Sequence, residues 1–258
     1  MAVIGAILGD IAGSQFEFDR PKDLDWKHCE LFSDRCKFTD DTVMTLAVKK
    51  AIDEDRGYAD CMHELGREYL DRGYGNRFYK WLLNDLAPAY NSLGNGSAMR
   101  VSYVGEHFTT LDDVIREARN SAAVTHNHHE GMKGAEVTAV CIWMARHGNS
   151  KEDIYDYVIS EYPPEHYEFS IDKDMKYLEK HYSWDVTCMT SITVAMRCFY
   201  ESDSFESFMR NVFRLDCDSD TLGAIGGAVA EEFYHGVGFA PKPVLERYLD
   251  DRLYKMLF

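Results

Sequence analysis

The chain lacks the features that would tie it to a bilayer or to nucleic acid. Its 28 Lys and Arg stand against 44 Asp and Glu, a formal charge of −16, which argues against a broad electrostatic hold on nucleic acid or an anionic membrane. No apolar run is long enough to span a bilayer, and Met1 to Ala12 has neither a basic leader nor a small-residue cleavage site. A cytoplasmic, monomeric protein with no membrane partner is the expectation. Prolines number 6 in 258 residues and no Pro/Gly/Ser-rich linker interrupts the chain, so residues 1–258 read as one domain. None of the 7 cysteines forms a C-x-x-C pair, and an odd count favours reduced thiols. Cys141 and Cys198 fall in apolar helical stretches as small core residues. Cys217, between Asp216 and Asp218, should have its thiol pKa raised, which disfavours a nucleophilic role. Sustained period-2 alternation is also missing, so the fold is expected to be all-α.

What is present is acid, placed in two clusters far apart. Thr39-Asp40-Asp41-Thr42 and Asp218-Ser219-Asp220-Thr221 each precede an apolar-striped helix. Either cluster alone could be a helix cap, because carboxylates are favoured beside unpaired N–H groups at a helix N-terminus. Together they repeat one chemistry, two aspartates plus a threonine hydroxyl, which is the oxygen-rich donor set of hard cations such as Mg²⁺. An EF-hand is excluded: counted from Asp216, its sixth and twelfth positions would need Gly and Glu but hold Thr221 and Gly227. After Asp220, Leu222, Ile225, Val229 and Phe233 share a face, with Gly223, Gly226, Gly227 and Ala230 between them, a pattern for a closely packed helix.

Gly5, Gly9, Gly13 and Glu17 recur every four residues. On a helix that spacing calls for a second backbone against the glycine face and places Glu17 at its end. Asp10 and Glu17 could aim at the same centre as the two aspartate clusters; the alternative is that Asp10 caps locally and Glu17 is solvated, and for Asp10 the local cap is the favoured reading. The turns Gly73-Tyr74-Gly75 and Gly94-Asn95-Gly96-Ser97 could receive phosphates through exposed N–H groups, although most glycine turns are only turns. His126, His128 and His129 do not read as a zinc site, since adjacent His128 and His129 diverge on a helix and no fourth ligand is suitably spaced. Helices are expected after Asp41, around Met62 to Tyr69, from Glu130 to His147, over 191–200 and 205–213, and as one segment over 243–258; 150–186 reads as the least regular stretch.

Six blocks, GAILGDIAGSQFEF, FTDDTVMTLAV, RGYGNRFYKWL, YNSLGNGSAMRVS, SAAVTHNHHEGMKGAE and DCDSDTLGAIGGAVAEEFY, occur in this order and resemble the ADP-ribosylglycohydrolase family, above all its compact bacterial members. The resemblance implies a single-domain orthogonal helical bundle with a central binuclear metal site holding two Mg²⁺, Mn²⁺ being possible. It implies hydrolysis of the N- or O-glycosidic bond between ADP-ribose and an acceptor, typically a protein side chain. By motif, Thr39, Asp40, Asp41, Asp218, Asp220 and Thr221 would be metal ligands. Glu17 would be the acid beside them, and Glu17, Asp41 or Asp218 would manage the proton. Gly73, Tyr74, Gly75, Gly94, Asn95, Gly96, Ser97 and Met99 would line the ADP-ribose groove, with His126 at its edge.

Three departures from similar bacterial sequences bear on this. Asp216-Cys217 stands where they have Gly-Gly, which is expected to add a carboxylate next to the metal centre. Tyr103 and His129 stand at their prolines, and the run Cys188 to Val194 differs from their Cys-Gln-x-(Thr/Ser)-Val-Pro-Glu. Two rivals stay open: an ADP-ribose-binding or immunity-type module without turnover, and a metal-dependent phosphoesterase.

Overall fold

The computed structural model describes residues 1–258 and places them in 15 helices. The first half carries α1 (Ala2–Gly13), α2 (Asp40–Asp53), α3 (Tyr58–Glu68), α4 (Asn76–Leu82), α5 (Gly96–Met99), α6 (Ser102–His107) and α7 (Leu111–Ala123). The second carries α8 (His129–Arg146), α9 (Lys151–Glu161), α10 (Met175–His181), α11 (Cys188–Tyr200), α12 (Phe205–Arg214), α13 (Ser219–Phe233), α14 (Pro241–Tyr248) and α15 (Asp251–Lys255). The only β pairing is an isolated bridge between Gly94 and Thr187, so the fold is all-α, as expected. No helix is long and apolar enough to cross a membrane.

The centre is built from the two glycine-patterned segments. Every residue of α1 is buried, as is every residue of α13 except Phe233, which is the signature of helices apolar all round and enclosed by others. They lie backbone against backbone and antiparallel. A Cβ added at Gly5, Gly9 or Gly13 would overlap the carbonyl group of Gly227, Gly223 or Ser219 respectively. Ser219 Oγ also donates to the Gly13 carbonyl at 2.7 Å. The C-terminal end of α1 is thereby held against the N-terminal end of α13. One core of 68 buried apolar residues surrounds this pair, drawing on α2, α8, α11 and α12.

Several expectations change at this level. Glu17 is not on α1: the helix stops at Gly13, where Ser14 Oγ donates to Ile11 O at 2.8 Å and Gln15 Nε2 to Ala12 O at 3.0 Å. These bonds satisfy carbonyls that have no partner further along the helix. Asp10 caps the distant α2 rather than its own helix. Within the stretch expected to be irregular, α9 is a regular helix opened by a Ser150/Asp153 capping box and anchored by Ile154 and Val158. The tail is two helices, because Asp250 Oδ1 accepts from Arg252 N and Leu253 N, both at 3.0 Å, and starts α15 anew.

The Gly9–Gly223 contact leaves no room for a side chain. Gly9→Ala should therefore cost roughly 3 kcal/mol or more by overpacking. Gly75→Ala, where nothing lies within 4 Å of the added Cβ, should stay within about 0.5 kcal/mol of the parent. Urea unfolding of both variants checks the contrast, and similar midpoints would refute the close packing.

Candidate metal centre and cleft

Three chain segments bring their acids to one point, and Asp10 assembles two of them. Its Oδ2 accepts from Thr39 N at 3.0 Å and Thr42 N at 3.1 Å, and its Oδ1 accepts from Thr39 Oγ1 at 2.8 Å. Thr42 Oγ1 also donates to it. A carboxylate buried in α1 is thus the cap of the helix that carries Asp40 and Asp41. Thr39 Oγ1 in turn accepts from Asp41 N at 3.2 Å.

From the opposite side, α13 presents Asp218 and Asp220. Asp218 Oδ2 accepts from Asn95 Nδ2 at 2.7 Å, and the same amide donates to Ser191 Oγ at 3.0 Å. Asp220 Oδ1 accepts from Thr221 N at 2.9 Å. The two clusters meet where Thr221 Oγ1 lies 3.4 Å from Asp41 Oδ2. Glu17, in the bend after α1, brings a carboxylate oxygen to within 4.8 Å of oxygens of Asp218 and Asp220. Asp41 Oδ1 is buried and accepts no hydrogen bond.

So much unbalanced negative charge resists ionisation. Burial, reinforced by the charges of Asp10 and Asp40, holds Asp41 well above the carboxylate range, and burial with the charge of Asp218 does the same for Asp220. Asp40 is raised by burial and by Asp10. Burial also raises Asp218, against its hydrogen bond from Asn95. Asp10 is pushed up to about 6 by burial despite its donors. Burial, joined by the charges of Asp218 and Asp10, brings Glu17 to about 7. An orphaned buried carboxylate oxygen among repelling acids is the donor set a divalent cation would balance.

The acids line a cleft of about 450 Å³. Gly73, Gly75, Gly94, Asn95, Gly96, Met99 and His126 line it, together with Arg77, Tyr90, Ser92 and Arg100. Gly73 adopts φ 104°, open to glycine alone at little cost. At the mouth, Phe18 and Trp184 meet edge to face at 5.4 Å. Tyr74 and Ser97 are not on the cleft wall: the Tyr74 ring stacks on Phe78 at 5.4 Å, and Ser97 Oγ donates to Gly131 O at 2.7 Å. Thr39 likewise stands behind Asp41 rather than on the lining. A wider groove of about 730 Å³ lies between α3 and α4, but its Arg56 and Arg67 are paired with Glu64 and Asp85 at 2.8 and 2.5 Å.

Of the departures, Asp216 is exposed and absent from the cleft wall, which corrects the expectation that it adds charge to the centre. Cys217, buried beside it, has its thiol raised chiefly by burial. Tyr103 donates to Asp53 Oδ1 at 2.7 Å, and His129 is exposed at the start of α8, where His128 is the cap. Only the 188–194 run backs the cleft wall: Cys188 Sγ lies 2.9 Å from Gly94 O, and Ser191 supports Asn95. Phe18, Arg77, Tyr90, Arg100 and Trp184 escaped sequence reasoning. Phe18, Arg77, Tyr90 and Arg100 lie inside the blocks that carry the family resemblance but drew no role there, although a cation directly after an apolar Ala98-Met99 pair was a usable signal for Arg100; Trp184 lies outside every block.

Fold and centre together define an all-α protein with a buried polycarboxylate site on the wall of a ligand-sized cleft. The sequence profile of the ADP-ribosylglycohydrolase family matches residues 1–237, and the chain belongs to that family. It is 34% identical over 185 residues to human ADP-ribosylhydrolase ARH3, covering 58% of this chain and 50% of the relative. The mouse ADP-ribosylhydrolase ARH3 is 27% identical over 306 aligned positions, 89% of this chain and 82% of the relative. The chain thus spans about half the length of the human relative. A solved structure described as an ADP-ribosylglycohydrolase-related protein complex superposes with a TM-score of 0.74 at 21% identity, covering 99% of this chain and 93% of that one, which shows the shared fold.

The raised carboxylates generate a pH signature. A folded-state pKa above the unfolded value means that the folded state binds more protons, so stability falls as pH rises. For Asp10 and Glu17 the window runs from about 4 to the values of about 6 and about 7. Chelator-stripped protein should melt at progressively lower temperature from pH 4.5 to 7.5, and millimolar Mg²⁺ should flatten that slope. A slope unaffected by Mg²⁺ would count against cation binding here.

Proposed function

We propose that the protein hydrolyses the glycosidic bond linking ADP-ribose to an acceptor, with the ADP-ribose lying along the cleft and the scissile bond beside the acids. The observation that carries this reading is that one cleft wall combines two chemistries: the acids Glu17, Asp40, Asp41, Asp218 and Asp220, and the glycine turn, imidazole and cations of Gly94, Gly96, His126, Arg77 and Arg100. The acids suit a sugar at which positive charge develops, and the second set suits a diphosphate.

Asp40, Asp41, Asp218, Asp220 and Thr221 would hold two Mg²⁺, with Mn²⁺ as a substitute, and Thr39 would steady Asp41 from behind. Bound there, the ions would supply Lewis acidity and alignment for the distal ribose hydroxyls and the attacking water. The remaining work belongs to side chains. Carboxylates around the anomeric carbon offset the positive charge of an oxocarbenium-like transition state. Glu17, lifted toward neutrality by its surroundings, can take a proton from water or return it to the leaving group. Asn95 fixes the rotamer of Asp218. Phe18 and Trp184 narrow the mouth and limit water entry. An ADP-ribosylated protein or other ADP-ribosylated acceptor is the partner this reading requires. The binding-only alternative now rests on the 188–194 run, since Asp216 faces solvent.

Mass spectrometry of products from arginine-, serine- and nucleic-acid-linked ADP-ribose, with Mg²⁺, should show free ADP-ribose from one class and its loss with EDTA. AMP as product would indicate phosphoesterase chemistry instead. Asp218→Asn should remove turnover while leaving the fold intact, and Glu17→Gln should lower kcat by about 10²–10⁴-fold. Normal turnover by Asp218→Asn would refute the centre.

A further inference from the structure

Arg100 is fully buried, faces no carboxylate, and leaves Nε and one Nη without a partner. A guanidinium in that state is costly unless its field is used. Its other Nη donates to Ser121 O at 2.9 Å and to Thr125 Oγ1 at 3.0 Å. The first bond places the cation at the C-terminal turn of α7, where helix carbonyls welcome it. The second reaches a hydroxyl that is itself fully buried.

Thr125 Oγ1 lies 2.7 Å from His126 Nδ1. Having accepted from Arg100, the hydroxyl keeps one proton to give. Because Thr125 is sealed from solvent and no other acceptor is in reach, that proton goes to His126 Nδ1. Nδ1 is then the acceptor of the ring, and the imidazole proton sits on Nε2. That nitrogen faces the cleft wall: a Cβ at Gly96 would lie 3.2 Å from it. Burial first, then the charges of Arg100 and Arg77, hold His126 well below the ordinary histidine range, and Tyr90, its ring 6.1 Å away, adds no charge at neutral pH.

We propose that Arg100 is a positioning residue which, through Thr125, fixes His126 as a neutral imidazole with its proton on Nε2, presented as a donor to the anionic part of the ligand. The identity of that anion as a diphosphate rests on the ADP-ribose reading above; the tautomer does not. The arrangement makes an anion-recognising N–H that stays neutral across the physiological range, backed by the permanent charge of Arg100. A lysine or a charged histidine in the same place would be attracted to the carboxylates on the same cleft wall, whereas a neutral donor is not.

The test is long-range ¹H–¹⁵N correlation of the histidine rings in the full-length protein, with His126→Asn to assign the signal, alongside calorimetric binding of ADP-ribose and of inorganic diphosphate. Wild type should show His126 protonated on Nε2 only, at neutral pH. Thr125→Val should lose that single tautomer and weaken ADP-ribose binding by about five- to tenfold, and Thr125→Ser should restore both. Arg100→Met should remove the donor that holds the Thr125 hydroxyl in its orientation and let both tautomers populate; if that variant fails to fold, the Thr125 pair carries the test. His126 protonated on Nδ1 or on both nitrogens in wild type would overturn the proposal, as would an unchanged tautomer in Thr125→Val. Absence of ADP-ribose binding by wild type with the expected tautomer would overturn the ADP-ribose reading alone.

Discussion

The contact on which everything else depends is the glycine-to-glycine packing of α1 against α13. Two backbones can approach this closely only where neither carries a Cβ on the facing side, and Gly5, Gly9 and Gly13 meet Gly227, Gly223 and Ser219 in turn. Close approach fixes not only the separation but also the register. In that register the end of α1, with Glu17 just beyond it, stands at the start of α13, where Asp218 and Asp220 lie. A shift of one turn would separate the carboxylates and leave α1 residues facing the wrong partners.

The second constraint is electrostatic, and it explains why the first must be so rigid. Six carboxylates, those of Asp10, Glu17, Asp40, Asp41, Asp218 and Asp220, lie in one region and all have raised pKa values. Left to themselves they would push the helices apart. Part of the charge is absorbed internally, Asp10 by four donors of Thr39 and Thr42, and Asp218 by Asn95. The remainder, with Asp41 Oδ1 unpartnered, is charge that the protein's own residues leave unbalanced. Stability given up at this point is recovered from the apolar core around it, the usual relation between a functional site and its scaffold.

The basic part of the cleft wall is arranged on the opposite principle. There a permanent cation, Arg100, is buried without an acid to neutralise it, and its influence passes through Thr125 to His126. A single cleft wall therefore carries both acidic and basic groups, built by segments that are remote in sequence. The same segment that forms the basic part, Gly94 to Met99, supplies Asn95 to the acidic part. Movement of that turn would alter both at once.

Much of this was legible in residue order. The glycine spacing announced a close backbone contact, the repeated aspartate and threonine clusters announced a gathering of acids, and the absence of alternating patterns announced helices. These are local signals, set by steric size, charge and period, and they survive without knowledge of the fold. What sequence could not supply is which face met which. Asp10 looked like a local cap and holds a helix 29 residues away; Asp216 looked like a neighbour of the centre and points to solvent; Tyr74 and Ser97 sit in the right turns and face inward. Arg100 and Phe18 sit inside recognisable blocks with no role legible there, and Trp184 carries no motif at all. Side-chain direction and burial depend on how helices cross, and crossing is decided by packing among residues far apart in the chain. The sequence by itself therefore determined the chemistry available, while only the tertiary structure decided where each group points and what balances its charge.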